Sequence, residues 1–398
     1  MSANGPRPSI LHLTGDYPDP IDPAKTPAVA RFLDLTRIHF DHRVVSINRR
    51  DPGAGGWLRQ LAGGGPAIAA QGFDAGVALA YEAPGKGAFH VSNLLALGDW
   101  LADHARRQGW RPDLLVGHKL GIEGIAIART AERLGLPYAL TVQGNTDTRI
   151  LATRPDLHRR LARIWHGAAT VTCLAPWALA AVERHLGKRS GPVAVVPCAT
   201  ELDLPLPPRV GGDGLVSVFH LRQHRAKNVE GLARAMAMVD GEATLTIIGG
   251  GDGDDRQRVR ALIGNAANIA LAGHVPAEQL RARMNAAKGF VLPSRRESFG
   301  LVFIEALFAG LPIVYPAGAA VDGYFDFLPF AVRIDARDPA AIAAAMRHLL
   351  AEEASLKAAL AEWQGSEDAR RFTRPAIADA YAASLRAGLP GSLAGQAA

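Results

Sequence analysis

The sequence predicts an α/β fold with two doubly wound, Rossmann-like domains that face each other across a cleft. Short apolar runs alternate with amphipathic helical segments along the chain, as in doubly wound proteins. Most runs are continuously apolar, which indicates strands buried on both faces of a parallel sheet. The proline-rich segment ELDLPLPPRVGGDG, at 201–214, interrupts the series once and marks a linker.

The apolar runs fall into two groups. Those of the first group lie at 9–14, 43–48, 74–81, 113–118, 138–144, 169–175 and 193–197. Those of the second group lie at 215–221, 243–250, 268–273, 289–294, 311–316 and 330–335. The predicted organisation is an N-terminal domain over 1–200, the linker, a C-terminal domain over 215–372, a helix over 373–388 that can pack back on the N-terminal domain, and a disordered tail over 389–398.

Composition indicates an ordinary globular protein. The chain has 398 residues, of which 48% are hydrophobic, and no window holds the roughly 18 uninterrupted apolar residues of a spanning helix. The N-terminus lacks the pattern of a secretory signal. Cys173 and Cys198 have no metal-ligand spacing and are expected to be buried thiols in a reducing compartment. These features predict a cytoplasmic protein.

Charge is distributed unevenly. Residues 1–200 contain 23 Lys and Arg against 16 Asp and Glu, whereas residues 201–398 contain 21 against 22. A basic domain is typical of proteins that meet an anionic partner such as nucleic acid or a phospholipid surface. Scattered solubilising arginines would give the same count, so both interpretations stay open at this point. The segment 154–169 is likewise either an amphipathic membrane-surface helix or a core-packed helix with a basic solvent face.

The segment RRESFGLVFIEALFAGLP, at 295–312, carries two glutamates around a glycine at the predicted start of a helix. With Ser298 as N-cap and the helix starting near Phe299, the first backbone N–H groups would be unpaired, and Gly300 would let an anion approach them. Glu297 and Glu305 would repel that anion but would accept hydrogen bonds from hydroxyl groups. A ligand that carries hydroxyl groups on both sides of a diphosphate is a nucleotide sugar. Alternatively, Glu305 pairs with an arginine inside the domain and Glu297 is a solvated loop residue.

Arg222 and Lys227 follow the first strand of the second domain. Two cations five residues apart on such a loop suit a diphosphate. A solvated basic loop that also includes Arg225 is the alternative. The glycines at 249–251 follow the next strand, but they lack the rest of a dinucleotide fingerprint.

Together these motifs resemble the retaining glycosyltransferases of family 4, which have the GT-B fold. Their pattern PS-x-x-E-x-F-G-x-x-x-x-E-A-x-x-x-G-x-P is matched at every fixed position by residues 293–312. The Arg and Lys pair and the G-x-G after the second strand match too, and IALAGHV matches a further segment loosely. The resemblance is strong over 215–320 and covers the first domain only in outline.

The resemblance implies a role for each matching residue. Glu297 would contact the donor sugar, Glu305 the ribose, and Arg222 with Lys227 the diphosphate. The remaining donor-binding candidates are Ser298, Phe299, Gly300, Leu301, Gly249 and His274. The family uses no metal ion and no cofactor, because cations and helix-start amides stabilise the departing nucleoside diphosphate.

In the first domain the resemblance places His118, at a strand end, near the reacting centre. The alternative is a structural histidine that caps the next helix. The family's Gly-Gly loop after the first strand is absent here, and Asp16 and Lys25 occupy that segment. Gln143, followed by Asn145, replaces a histidine of the family. These four residues are the candidates for the acceptor side.

The sequence therefore predicts a metal-independent retaining glycosyltransferase. The expected partners are a nucleotide diphosphate-sugar donor and a glycan or lipid-linked saccharide acceptor of bacterial polysaccharide synthesis. An anionic membrane surface could meet the basic N-terminal domain, and no nucleic acid is expected. An epimerase or a phosphorylase on the same fold, and a non-catalytic scaffold for glycan assembly, are the alternatives.

Overall fold

A computed structural model describes residues 6–239 and 241–391, without the side chain of Lys86. The chain divides into two compact units. The first unit holds the residues up to Leu174, Leu179–Val196 and the residues from Ile377 onward, and the second holds Ala175–Ala178 and Pro197–Ala376. Residues 392–398 of the predicted disordered tail lie outside the described residues.

The first unit contains a sheet of eight strands within the described residues. They are β1 Ser9–Thr14, β2 Asp41–Arg50, β3 Ile68–Phe73, β4 Gly76–Glu82, β5 Leu114–His118, β6 Tyr138–Val142, β7 Thr170–Cys173 and β8 Val193–Val195. Their order is β3-β4-β2-β1-β5-β6-β7-β8, and every neighbouring pair is parallel except β3 with β4. The sequence analysis missed β3, because this antiparallel edge strand has no buried residue and thus no apolar run.

The second unit contains a fully parallel sheet. Its strands are β9 Leu215–Val218, β10 Leu245–Ile248, β11 Ile269–Gly273, β12 Gly289–Val291, β13 Ile313–Pro316 and β14 Ala331–Ile334. Their order is β11-β10-β9-β12-β13-β14 in the described residues. The predicted fold class of two doubly wound α/β domains is confirmed.

Helices connect most of the strands. In the first unit they are α1 Ala28–Thr36, α2 Gly53–Leu61, α3 His90–Arg107, α4 Glu123–Leu134, α5 Asn145–Thr153, α6 His158–Gly167 and α7 Pro176–Leu186, whose first residues belong to the second unit. In the second unit they are α8 Val229–Met236, α9 Gly253–Ile263, α10 Ala277–Asn285, α11 Leu301–Phe308, α12 Pro339–Ala351, α13 Glu353–Gln364 and α14 Glu367–Arg370. The last helix, α15 Arg374–Ala387, enters the first unit at Ile377.

Each sheet has one point where the strand order reverses. In the first sheet the chain builds outward from β1 to β2 and β4, and then returns to β5 on the other side of β1. In the second sheet the chain builds from β9 to β11 and then returns to β12 beside β9. Connections leave in opposite directions at such a switch point, so a crevice forms there beyond the carboxyl ends of the strands.

Packing in the first unit shows where two helices, α6 and α15, bury their apolar residues. Leu161, Ile164 and Trp165 on α6 are buried, and the Trp165 indole N–H donates to the Gly187 carbonyl at 3.1 Å. The apolar face of this helix therefore belongs to the core and is not a membrane-facing surface. Tyr381 of α15 is buried against the ring of Phe32, with ring centroids 4.8 Å apart. Among the described helices, none is both long enough and apolar enough to cross a membrane.

Candidate functional site

The two loops at the switch point of the second sheet are held together by an ion pair. Lys227, on the loop between β9 and α8, pairs with Glu297, on the loop between β12 and α11, and their side chains are 11% and 16% exposed. The Ala226 carbonyl also accepts hydrogen bonds from the backbone N–H groups of Arg295 (2.8 Å) and Arg296 (3.3 Å). A cation and a carboxylate are thus fixed side by side at the crevice.

The helix after the second of these loops begins at a glycine. α11 starts at Leu301 with Gly300 as its N-cap and no side-chain cap, so the prediction of Ser298 as N-cap is wrong. Gly300 has a φ of 75°, and an added Cβ would lie 2.7 Å from Phe303 Cδ2 and 2.9 Å from Glu297 Cγ. The chain needs this left-handed, side-chain-free position to turn into the helix. The Phe303 N–H donates to the Gly300 carbonyl at 3.0 Å, and the N–H groups of Leu301 and Val302 precede this first hydrogen bond of α11. Such N–H groups at a helix start favour an anion beside Gly300.

The other candidate residues of the 295–312 segment differ in burial. Phe299 is 3% exposed and packs edge-on against Tyr324, with ring centroids 6.0 Å apart. Only its backbone can therefore serve a ligand. Ser298 and Glu305 are partly buried. Glu305 lies in α11 about 6 Å along the helix axis from Leu301, at about 1.5 Å per residue.

Arg222 and Lys227 lie on the same loop but in different surroundings. Arg222 belongs to a 3₁₀ turn, Leu221–Gln223, and is exposed, while its backbone N–H donates to the His220 imidazole at 3.2 Å. Lys227 is held by Glu297. The structure therefore provides one fixed cation, Lys227, and two exposed cations, Arg222 and Arg225, on this loop.

Gly249 and His274 lie at the ends of β10 and β11. An added Cβ on Gly249 would stand 1.7 Å from the Phe219 carbonyl oxygen, and the Gly249 N–H donates to the Gly273 carbonyl at 2.8 Å. Glycine is required here because the backbone after β9 occupies the space of a side chain. His274 is exposed, and its Cβ and Nδ1 are each 3.8 Å from where a Cβ on Gly250 would be.

At the switch point of the first sheet, another ion pair joins the loops after β1 and β5. Lys119 Nζ lies 2.6 Å from Asp16 Oδ2 and 3.7 Å from Glu123 Oε1, and the Gly15 N–H donates to Glu123 Oε1 at 2.7 Å. Lys119 has a φ of 132°, which is strained for a residue with a side chain. The predicted acceptor-side residue Asp16 thus belongs to a built ionic cluster.

Two carboxyl groups of this region are deeply buried. Burial raises the pKa of Glu123 to about 7, against the lowering effect of Lys119. Burial likewise raises the pKa of Asp147 to about 6, although it accepts hydrogen bonds from the N–H groups of Gly121 (3.1 Å) and Gln143 (3.2 Å). The Lys119 side chain is 14% exposed, and against the lowering effect of partial burial the charges of Glu123 and Asp16 raise its pKa. The cluster therefore combines a fixed ammonium with carboxyl groups that titrate near neutral pH.

His118 ends β5 next to this cluster and is 1% exposed. Its Nε2 lies 3.0 Å from His12 Nδ1, His12 Nε2 lies 2.9 Å from His42 Nδ1, and His42 Nε2 lies 3.0 Å from the Thr36 hydroxyl. Burial lowers the pKa of His118 to about 3 and that of His42 to about 4, and it holds the pKa of His12 well below its ordinary value. All three imidazoles are therefore neutral at neutral pH.

Lys25, Gln143 and Asn145 take different positions in the first unit. The Lys25 ammonium donates to Asp19 Oδ2 (2.7 Å), the Ser46 hydroxyl (2.9 Å) and the Ile47 carbonyl (3.1 Å), which fastens the loop between β1 and α1. Gln143 lies between β6 and α5, and Asn145 is the first residue of α5.

Sequence reasoning missed several polar residues that the fold gathers at the first switch point. Lys119 and Glu123 lie in the connection after β5, and Asp147 lies in the connection after β6. His12 and His42 come from the neighbouring strands β1 and β2. The available signal was the presence of polar residues inside apolar segments, such as His12 in SILHLT and Glu123 in IEGIAIA. In the described ranges, no group of three or more His, Cys, Asp or Glu side chains is placed to hold a metal ion.

A model of the family described as Glycosyl transferases group 1 matches residues 214–352. This match confirms, over most of the second unit, the resemblance found in the sequence. It covers the Lys227 and Glu297 loops and the whole of α11.

A similar curated protein is the D-inositol 3-phosphate glycosyltransferase of Streptomyces avermitilis, which is 31% identical over 239 residues, covering 51% of this chain and 49% of the relative. The chain spans between 28% and 55% of the length of the curated relatives it matches. Among solved structures, sucrose-phosphate synthase from Thermosynechococcus elongatus matches with a TM-score of 0.66 and 19% identity, covering 95% of this chain and 98% of the other. HepE from Anabaena, solved in complex with UDP, matches with a TM-score of 0.65 and 13% identity, covering 95% and 99%. At these identities the structural matches establish the fold.

Substitution of Glu123 by Gln should change how stability depends on pH. The folded protein keeps the Glu123 proton up to about pH 7, whereas the unfolded chain loses it near pH 4.5. The free energy of unfolding therefore falls as the pH rises between these values, because only the unfolded chain releases the proton. Over a shift of this size the cost approaches 3 kcal/mol, at about 1.4 kcal/mol per pKa unit. Urea unfolding should show that the stability of Glu123→Gln, relative to the native protein, rises from pH 4.5 to pH 7.

Glu132→Gln, at an exposed position of the same helix, is the matched control and should show no such trend. A relative stability of Glu123→Gln that stays constant across this pH range would show that Glu123 keeps an ordinary pKa in the folded protein.

Proposed function

We propose that this protein is a retaining glycosyltransferase that moves a sugar from a nucleotide diphosphate-sugar to an acceptor hydroxyl. The observation that carries the proposal is the pairing of Lys227 with Glu297 across the switch point of the second sheet, directly before the glycine start of α11. A diphosphate needs a cation and backbone N–H groups, and a sugar needs a hydrogen-bond acceptor for its hydroxyls. These groups are neighbours here, just as phosphate and sugar are neighbours in the donor.

Each group of the second unit takes one part of the donor in this proposal. Lys227, with the exposed Arg222, contacts the diphosphate, and the first N–H groups of α11 bind its oxygens beside Gly300. Glu297 accepts hydrogen bonds from the sugar, and Glu305, one turn into the helix, accepts them from the ribose. The UDP complex of HepE is a fold relative with such a nucleotide bound.

The transfer proceeds by exchange of one C–O bond for another at the anomeric carbon. The bond between that carbon and the β-phosphate oxygen breaks, and the acceptor oxygen attacks from the same face. The acceptor hydroxyl proton passes to the departing phosphate, so no protein base is required. The cations and amides stabilise the negative charge that develops on the nucleoside diphosphate, and the reaction needs neither a metal ion nor a cofactor.

The acceptor is proposed to carry a phosphate group, because a basic pocket lies within the first unit. The pocket has a volume of about 680 Å³ and is lined among others by Arg49, Tyr81, His90, Arg149 and Arg154. Arg49 and Tyr81 lie near the carboxyl ends of β2 and β4, and Arg149 lies on α5, which follows β6. The pocket therefore lies at the edge of the sheet where doubly wound domains bind ligands.

The charge of the pocket favours an anion. Arg154 is paired with Asp156, with contacts of 2.7 and 2.8 Å. Arg49 and Arg149 are exposed residues, and Arg49 Nη1 donates to the Pro84 carbonyl at 3.2 Å. No acidic residue is among the described residues that line the pocket. Arginine binds phosphate through paired N–H groups. A sugar or polyol phosphate fits this chemistry, and so does a lipid-linked saccharide diphosphate met by a cytoplasmic enzyme at a membrane surface.

Substitution of Glu305 by Gln should weaken binding of nucleoside diphosphates, because an uncharged amide is a poorer acceptor for ribose hydroxyls. A panel of UDP, GDP and ADP is titrated by calorimetry against the native protein, and the best ligand is then titrated against the variant. Loss of one charge-assisted hydrogen bond corresponds to about 1.5–3 kcal/mol, or roughly a tenfold to hundredfold weaker Kd.

Glu278→Gln, at an exposed position of α10, serves as the control and should bind as the native protein does. Glu297→Gln should lower kcat more than it weakens nucleoside diphosphate binding, because the sugar is absent from that ligand. Unchanged affinity in Glu305→Gln, or no binding of any nucleoside diphosphate by the native protein, would contradict the proposal.

The phosphate group of the acceptor should be required for turnover. With the donor found above, release of nucleoside diphosphate should be faster with D-inositol 3-phosphate, the substrate that names the curated relatives, than with inositol. Arg149→Gln should raise the KM for the phosphorylated acceptor about tenfold and leave the KM for the donor unchanged.

Arg159→Gln, an exposed position on α6 outside the pocket, is the matched control. A lipid-linked saccharide diphosphate is the second acceptor to assay. Equal rates with phosphorylated and unphosphorylated acceptors would show that the pocket does not select an anion.

A further inference from the structure

Hydrogen bonds link Thr36, His42, His12 and His118 in a row. The geometry determines which atom donates and which accepts in each of these hydrogen bonds. Each contact along this row needs one donor and one acceptor, and a neutral imidazole supplies one of each. Fixing the proton at one end therefore fixes it on every ring. The Thr36 end is the place to begin, because the Thr36 hydroxyl lies 2.7 Å from the Phe32 carbonyl oxygen, which can only accept.

In one direction every contact is satisfied. The Thr36 hydroxyl donates to the Phe32 carbonyl and accepts from His42 Nε2–H. His42 Nδ1 is then bare and accepts from His12 Nε2–H, and His12 Nδ1 accepts from His118 Nε2–H. The remaining ring atom, His118 Nδ1, carries a lone pair.

The opposite direction loses one hydrogen bond and buries an unpaired donor. The Thr36 hydroxyl would donate to His42 Nε2 and leave the Phe32 carbonyl, and the protons would shift along both following rings. His118 Nδ1 would then carry a proton. Among the described residues this buried atom has no hydrogen-bond partner. Buried N–H groups without partners are rarer and more costly than acceptors with a spare lone pair.

We infer that Thr36, His42 and His12 are positioning residues that keep His118 protonated on Nε2 and bare on Nδ1, so that His118 accepts a hydrogen bond from a hydroxyl group of the ligand. The identification of that hydroxyl as one belonging to a sugar or an acceptor rests on the proposed function. The tautomer itself does not depend on it.

The two switch points therefore favour ligands of different chemistry. A bare imidazole nitrogen repels phosphate and carboxylate oxygens and attracts an O–H donor. Protonation of His118, which would reverse this preference, is opposed by burial. The buried lone pair at the end of β5 is thus a selective contact for hydroxyl-bearing ligands.

The test uses the full chain, labelled with ¹⁵N in its histidine rings, and two variants of Thr36. Ring ¹⁵N shifts distinguish a protonated nitrogen from a bare one, and His118→Asn identifies the His118 signals. The native protein should show His118 protonated on Nε2. Thr36→Val removes the hydroxyl with little change in shape, so His42 Nε2–H loses its acceptor and the reversed chain becomes competitive. Thr36→Ser keeps the hydroxyl and should retain the native tautomer.

A mixed or reversed His118 tautomer in Thr36→Val, with the native tautomer in Thr36→Ser, supports the inference. A native protein with His118 protonated on Nδ1 would overturn it. An unchanged His118 tautomer in Thr36→Val would also overturn it, because the tautomer would then be set elsewhere. A well-dispersed spectrum of each variant shows that it is folded.

Turnover provides the second readout, on whichever donor and acceptor pair is active. Thr36→Val should lower kcat/KM about tenfold, as expected for a weakened hydrogen bond to the ligand, and Thr36→Ser should restore it. If Thr36→Val changes the His118 tautomer but leaves kcat/KM unchanged, the proposed hydrogen bond between His118 and the ligand is wrong. Because the tautomer is read without any substrate, an absence of transferase activity would count against the proposed function and not against the chain of hydrogen bonds.

Discussion

The Lys227–Glu297 ion pair is the contact on which the candidate site of the second unit depends. It joins the loops that leave the adjacent strands β9 and β12, where the strand order of the second sheet reverses. Two glycines shape the rest of this edge of the sheet. Gly300 turns the chain into α11, and Gly249 leaves room for the backbone that follows β9. Removal of either charge would leave the other partly buried without its partner, which is costlier than loss of an exposed ion pair.

The first unit uses the same topological position for a different chemistry. The Asp16–Lys119 pair joins the loops after β1 and β5, as the Lys227–Glu297 pair does in the second unit. Here, however, the ammonium is surrounded by buried carboxyl groups, and the neighbouring His118 is neutral. The second unit thus provides charges suited to phosphate, whereas the switch point of the first unit provides an ion pair and a neutral imidazole suited to a hydroxyl group.

The sequence alone predicted the two-domain fold well, because strands buried on both faces appear as continuous apolar runs. Thirteen of the fourteen strands in the described residues overlap such runs. The exception, β3, is exposed at the edge, so neither apolar continuity nor alternation marks it. The N-cap assigned to Ser298 was wrong because serine is a good cap in general, whereas this turn requires the left-handed backbone of Gly300.

The candidate site was predictable only where its residues follow one another in the chain. The 295–312 segment carries Glu297, Gly300 and Glu305 together, so their spacing alone singled them out as candidates. Lys119 has a partner nearby in Glu123, but its partner Asp16, and the partner of His118, His12, are each more than 100 residues away along the chain. Only the sheet order brings these residues together, and an apolar run containing one histidine does not reveal which other histidine it meets.

The central claim, that Lys227 binds the diphosphate of a nucleotide donor, is tested most directly by calorimetric titration of Lys227→Gln with a nucleoside diphosphate and with the matching nucleoside. Loss of a charge-assisted contact to phosphate should weaken binding of the diphosphate about tenfold or more, while binding of the nucleoside stays unchanged. Equal affinity of the native protein and the variant for the diphosphate would contradict the claim.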